Sequence, residues 1–371
     1  MTKWNDKFVN FLKRYDFSFI LISFFIFLIG ISNLISATYM ATGAESVLYK
    51  SQIIFFLLSL GVAFGISFIS PTNFQKIAYW AYIFNILLLI AVLILGKVGM
   101  GAQRWIALGP IRFQPSEMMK ISFVLGLSRF FSKWKPESPL NFYGLIIPSL
   151  MAFIPACLII IQPDLGTGLI ILLLLAILSF CKNLEWKTIF KLFFLAIIAS
   201  GVMYRYGLKE YQRKRILTFL DPNTDSKGSG YNAIQSKIAI GSGQIFGKGF
   251  FKSTQASLNY LPENHTDFVF SVFNEEHGFI GSILLISLYL FLFYRFYWLS
   301  QNVSMIFESF VCIGLMSIFF IHTFINMAMV SGLLPIVGVP LPFMSYGGSS
   351  LLTFGTCIGI ATSISNARKF F

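Results

Sequence analysis

Runs of about 20 apolar residues recur along this chain, and each is long enough to cross the hydrocarbon core of a bilayer as a helix. Hydrophobic residues make up 56% of the 371 and charged residues 12%, where a soluble globule carries roughly 25% charged residues. The runs centre near Phe27, Leu60, Leu88, Phe123, Phe153, Leu173, Ala196, Ser287, Gly314 and Thr356. The expected fold is therefore an all-α polytopic membrane protein with about ten transmembrane helices. It is read as a single integral membrane domain over residues 1–371. The first run, Phe17 to Ser36, follows Lys3, Lys7, Lys13 and Arg14 as a signal peptide would. It is long, lacks a convincing cleavage site and precedes further spans, so it reads as an uncleaved first helix.

Charge sets the orientation. Lys and Arg cluster in the N-terminal tail, at Lys76, at Arg129-Lys133-Lys135, at Lys182-Lys187-Lys191, at Arg295 and at Arg368-Lys369. With both termini cytoplasmic, all of these fall inside, as the positive-inside rule requires. Segments 37–50, 98–113, the turn at Gln162, a long basic loop at about 206–270, and 331–347 then fall outside. Long loops are largely exempt from the charge rule. The net charge of +13 suits an anionic membrane surface or substrate; nucleic acid is not expected, because half the positive charge sits in short cytoplasmic loops. Cys157, Cys181, Cys312 and Cys357 are scattered and form no CxxC, so neither a disulfide framework nor a structural zinc site is indicated.

Five constellations stand out. At the end of the long loop, Asp267, Ser271, Asn274 and Gly278 are spaced to share one helical face. Such a stripe on a membrane helix should face protein or a water-filled cavity; the alternative is that Asp267 or Thr266 is an N-cap, which leaves His265, Glu275 and Glu276 without a role. Gly101–Ile106 holds Arg104 and Trp105, suited to phosphate and sugar, though composition alone favours an interfacial Trp beside a snorkelling Arg. Glu117 and Lys120 are adjacent on one helix face, as a structural or a functional pair. Gln114-Pro115-Ser116-Glu117 and Gln162-Pro163-Asp164 both read as helix starts, and Asp164 leans toward capping. The loop carries Lys209, Arg213, Lys214, Arg215, Lys227, Lys237, Lys248 and Lys252 and a Gly-rich stretch, Gly241–Gly249. Its backbone N–H groups are able to approach a ligand, although it is not a Walker sequence and a solvated, flexible segment is the plainer reading. Lastly, Gly332–Ser350, with Pro335, Pro340 and Pro342, reads either as a re-entrant segment or as a tight interhelical loop.

Taken together, Gly101–Ile106, Gln114–Lys120, Gln162–Thr167, Gly230–Gly249, Leu261–Phe270 and Gly332–Ser350 resemble, in order, the motifs of the SEDS family of polytopic membrane proteins. Gln162–Thr167 and Ser236–Gly243 look like its elongation branch more than its division branch. Glu276-His277-Gly278 departs from the Glu-Leu-Gly usual in relatives. The resemblance implies a peptidoglycan glycosyltransferase in the bacterial cytoplasmic membrane. It would polymerise lipid II into a nascent glycan strand at the outer face, beside a class B penicillin-binding protein (a transpeptidase) and other elongation-complex membrane proteins. It also implies that Asp267 is the catalytic residue, with Arg104, Trp105, Glu117, Lys120, Asp164, Lys237, His265 and Ser345 as substrate-binding or cavity residues. Glycosyl transfer from a lipid diphosphate needs a base for the acceptor hydroxyl and positive charge for the leaving group. Basic side chains would supply that charge, or a divalent cation (Mg or Mn) would; the sequence identifies no metal ligands. A lipid II flippase would use the same basic residues, but would need alternating access.

Overall fold

The structure is a computed structural model that describes residues 15–42, 47–95, 97–99, 102–108, 111–134, 139–207, 210–225, 228–258, 260–261 and 265–368. Gly101, Pro262-Glu263-Asn264, Lys209, Lys227 and the basic residues before Tyr15 lie outside the described residues. In chain order the helices begin with α1 (Ser18–Thr42), α2 (Leu48–Ser67) and α3 (Pro71–Leu95). A three-stranded antiparallel ribbon follows, formed by β1 (Lys97–Gly99), β2 (Ala102–Leu108) and β3 (Ile111–Phe113). Then come α4 (Pro115–Lys133), α5 (Ile146–Ile161), α6 (Leu165–Cys181) and α7 (Trp186–Val202). The remainder is α8 (Glu210–Leu220), α9 (Ser229–Ser242), α10 (Thr254–Ser257), α11 (Val269–Gln301), α12 (Ile306–Val330) and α13 (Gly348–Arg368).

Among the described residues, eight helices are long and apolar enough to cross a membrane: α1, α2, α3, α5, α7, α11, α12 and α13. The two other expected spans are also helices. The run centred on Leu173 is α6, shorter at 17 residues. The run centred on Phe123 is α4, less apolar because it carries Glu117, Lys120, Arg129 and Lys133. Helix α4 tolerates Glu117 and Lys120 because they are buried in protein and not in lipid, and Lys133 is exposed in its last turn. Pro115 sits in its first turn with Glu117, where a missing N–H costs nothing and a carboxylate meets the positive end of the dipole.

Small residues set the closest approaches. A Cβ on Gly359 would lie 2.9 Å from the Cα of Ala63, and one on Gly355 would lie 2.7 Å from the Ser59 carbonyl oxygen. Helix α13 therefore lies backbone to backbone on α2, as small residues allow in a membrane. Helix α7 is the opposite case: its aromatic face of Phe190, Phe193 and Phe194 is exposed, and Thr188 is its buried residue.

Two expectations need correction. The segment 206–270 is not a plain loop: α8, a 3-10 turn at Pro222–Asp225, α9 and α10 fill much of it. The short segment expected outside at 98–113 is a β ribbon, with Lys97 opposite Trp105 and Ile106 opposite Phe113.

Candidate functional site

The turn His265–Phe268 delivers the chain to α11, and the cap position is taken by Phe268. The N-cap reading of Asp267 and Thr266 is thus not what is found. Asp267 is half-buried and lies against the segment that follows α12. A Cβ on Gly338 would sit 3.1 Å from Asp267 Oδ2, and Gly338 has φ +73°. The polar stripe turns into protein as expected, but its later members are committed to structure. Ser271 Oγ meets Ser236 Oγ at 2.8 Å, and Asn274 Nδ2 donates to Ser282 Oγ at 2.7 Å. At Gly278 (φ 62°, ψ −159°) the helix breaks.

Segment 332–347 is re-entrant. Its Pro340 carbonyl accepts from His322 Nδ1 at 3.1 Å. His322 lies eight residues, about 12 Å, short of the end of α12 at Val330. The chain therefore dips back beside α12 instead of turning tightly above it. Its irregular backbone is satisfied by side chains, as buried non-helical backbone must be. Asn326 Nδ2 donates both to the Val339 carbonyl at 2.8 Å and to the Asp267 carbonyl at 2.9 Å. Ser345 Oγ donates to the Thr266 carbonyl at 2.6 Å and accepts from Leu341 N at 2.8 Å. Tyr346 N donates to the His265 carbonyl at 2.9 Å, and Gln52 Nε2 to the Ser345 carbonyl at 2.9 Å. The backbone carbonyls of His265, Thr266 and Asp267 are thus all fixed to α12 or to the dipping segment.

Glu117 and Lys120 form a buried pair at 2.8 Å, and Lys120 Nζ also reaches His322 Nε2 at 2.7 Å. His322 and Asn326 were missed in the sequence. The signal was there: two polar side chains four residues apart inside an apolar span.

Arg104 donates from Nε to the Gln162 carbonyl at 3.0 Å and from a terminal nitrogen to the Pro163 carbonyl. It clamps the turn before α6, using two of its five donors. Asp164 is the N-cap of α6: it accepts from Thr167 N at 3.2 Å and Thr167 Oγ1 at 3.0 Å, and from Gln114 Nε2 at 3.1 Å. The capping reading holds there. The start of α6 also abuts the dipping segment, since a Cβ on Gly166 would lie 3.2 Å from the Val337 carbonyl oxygen. Trp105 is half-exposed on β2. Lys237 lies over Gly332, and with Arg215 it lines a small cavity walled by Leu334, Pro335 and Ile336.

The Gly-rich stretch packs against α11. Its backbone repairs the break in α11: Lys248 N donates to the Glu275 carbonyl at 2.9 Å, Gly249 N to that of Glu276 at 3.0 Å, and Phe279 N to that of Gln244 at 2.9 Å. Two of the loop's cations are also paired, Lys248 with Glu275 and Lys214 with Asp225. Among the described residues, no group of three His, Cys, Asp or Glu side chains is placed to hold a metal ion.

The family model for the cell cycle proteins FtsW, RodA and SpoVE matches residues 14–370. Peptidoglycan glycosyltransferase MrdB of Escherichia coli (strain K12) is 41% identical over 301 residues, 81% of each chain. Among solved structures, a chain of a peptidoglycan synthase complex, reported for its structural coordination of polymerization and crosslinking, superposes with a TM-score of 0.82. It is 29% identical, with 95% of this chain and 98% of that chain covered. The crystal structure of the Thermus thermophilus rod shape determining protein RodA gives a TM-score of 0.71 at 27% identity, with 95% and 97% covered.

Proposed function

Because the chain belongs to the FtsW, RodA and SpoVE family of cell cycle proteins, we propose that Asp267 is the general base of the peptidoglycan glycosyltransferase that this protein is. The enzyme is of the RodA type that serves cell elongation, as its likeness to MrdB and RodA supports, and it is an integral protein of the inner membrane. The substrate is lipid II. Asp267 takes the proton from the acceptor sugar hydroxyl as that oxygen attacks the anomeric carbon of the donor. The bond to the diphosphate breaks with inversion, giving a β1–4 link and undecaprenyl diphosphate. A diphosphate is already a good leaving group, so no second carboxylate acid of the glycosidase kind is needed. Lys237 and Arg215, beside the same dipping segment, supply positive charge for it.

The observation that carries this reading is the placement of Asp267: a half-buried carboxylate on a turn whose backbone is fixed at three successive carbonyls. A base held this way keeps its geometry through the reaction. The site faces outward, where the lipid-anchored head group is presented. A transpeptidase of the class B penicillin-binding type is the expected partner, in keeping with the synthase complex that contains a similar chain.

Asp267→Asn keeps the shape and most hydrogen bonds but removes the base. The purified variant should fold and reconstitute like wild type, yet make no glycan polymer from lipid II. Near-normal polymer from Asp267→Asn would sink the assignment.

A further inference from the structure

We infer that His322 and Asn326 are positioning residues for Asp267, and that they tie its place to the buried Glu117–Lys120 pair. The inference rests on the reading of Asp267 as the base. An ammonium has only donors. Lys120 Nζ, 2.7 Å from His322 Nε2, therefore makes that nitrogen an acceptor. The ring proton is then on Nδ1, which donates to the Pro340 carbonyl at 3.1 Å. His322 is thus held neutral and in one tautomer by its two partners.

One helical turn on, Asn326 presents both N–H bonds to carbonyls, those of Val339 and Asp267. Its amide orientation is settled, because both partners only accept. Two neighbouring carbonyls of the dipping segment, Val339 and Pro340, are therefore pinned by two residues on one face of α12. The residue just before them, Gly338, lies beside the Asp267 carboxylate, which an added Cβ would approach to 3.1 Å. A shift of α12 against α4 would move that wall and the Asp267 carbonyl together.

Packing alone gives no reason for this choice of residues. Glu117, Lys120, His322 and Asn326 are all buried. Among the described residues, Glu117 Oε2 and Asn326 Oδ1 have no hydrogen-bond partner. Buried polar groups of this kind lower stability relative to well-packed apolar ones. What they add is a directional link, and a displacement of about 1 Å at a reacting group costs on the order of 100-fold in rate.

The test uses the full purified chain, lipid II polymerisation kinetics and thermal unfolding, on His322→Leu, His322→Gln and Asn326→Leu. Glutamine can accept from Lys120 through its carbonyl oxygen and donate to Pro340 through its amide nitrogen. His322→Leu and Asn326→Leu should lose kcat by about 100-fold with little change in KM, and His322→Gln should recover most of it. If the leucine variants do not fold, His322→Gln decides: near-normal kcat supports the link, and a collapsed kcat in a folded Gln variant overturns it. A loss confined to melting temperature or KM would also overturn it. Asp267→Asn is measured beside them. Polymer from that variant removes the base and this inference with it. Normal kcat in His322→Leu beside an inert Asp267→Asn overturns the inference alone.

Discussion

Among the described residues, the chain leaves regular helix at Gly278 and along 332–347, and it satisfies these two breaks differently. At Gly278 the freed backbone groups pair with other backbone groups, those of Gln244, Ile245, Lys248 and Gly249. Along 332–347 side chains take a much larger part: those of Asn326, His322, Ser345 and Gln52 pair with freed groups, beside backbone pairs such as Tyr346 N to the His265 carbonyl. Backbone pairing closes the first break on itself and exposes no new group. Side-chain pairing lets α2 and α12 reach into the second break, and it leaves the Asp267 carboxylate beside an irregular wall. On the proposed role of Asp267, the first break is architecture and the second carries the chemistry.

The largest expected effect breaks the first region. Gly278 has φ 62° and ψ −159°, and a Cβ there would collide with Gly247 N. That backbone region is essentially open to glycine alone. Gly278→Ala should cost about 3 kcal/mol or more, from strain plus overpacking. The readout is folded yield and melting temperature in detergent, and any activity lost should follow the lost protein. A folded, inactive Gly278→Ala would break the comparison, because the first region would then act on chemistry too.

Gly338→Ala sharpens the comparison from the other side. Its φ of +73° makes alanine strained by about 1–2 kcal/mol. The added Cβ, 3.1 Å from Asp267 Oδ2, presses on the carboxylate itself. The specific activity of the folded fraction should drop about 10- to 100-fold while most of the protein still folds. Single-turnover polymerisation on a size-selected sample separates the two losses.

The same contrast explains what the sequence showed and what it hid. The spans were legible because bilayer length and apolar runs leave little choice. Even charged α4 was readable from the apolar residues around Glu117 and Lys120. The pairing of Gly241–Gly249 with residues 275–280 was not, since nothing local marks which distant backbone a Gly-rich stretch will meet. Charge and glycine made 206–270 look like a loop, although α8 and α9 are helices. The candidate site was half legible. Asp267, Lys120 and Ser345 were picked out by motif, while His322 and Asn326 were submerged in an apolar run. Arg104 and Asp164 were legible as residues; their use on the turn at Gln162-Pro163 and on the start of α6 follows from tertiary contacts.

The smallest effect concerns Asp16, near the start of α1, which asks whether side-chain clamping alone marks a site. Asp16 accepts from Ser18 N at 3.1 Å, from Ser365 Oγ at 2.5 Å and from Arg295 Nη2 at 2.8 Å, and its own N–H donates to Asn366 Oδ1 at 2.9 Å. It is clamped as thoroughly as the dipping segment, but its partners tie the start of α1 to α11 and to the end of α13. Burial pushes its carboxyl up, yet the hydrogen bonds from Ser18 and Ser365 and the Arg295 charge outweigh that and hold it below the usual carboxylate range. A depressed folded-state pKa contributes stability that is present above the unfolded value, about 3.9, and is lost as pH falls through the folded value. Wild type should therefore lose melting temperature on acidification from about pH 5 downward, and Asp16→Asn should lose less over that window. At neutral pH the variant should be less stable by about 1–2 kcal/mol yet polymerise lipid II at the wild-type rate. A slow but stable Asp16→Asn would mean that clamping at one end of the helices reaches the carboxylate at the other. The distinction between architecture and chemistry would then lie in the helices as a whole, not in how each break is satisfied.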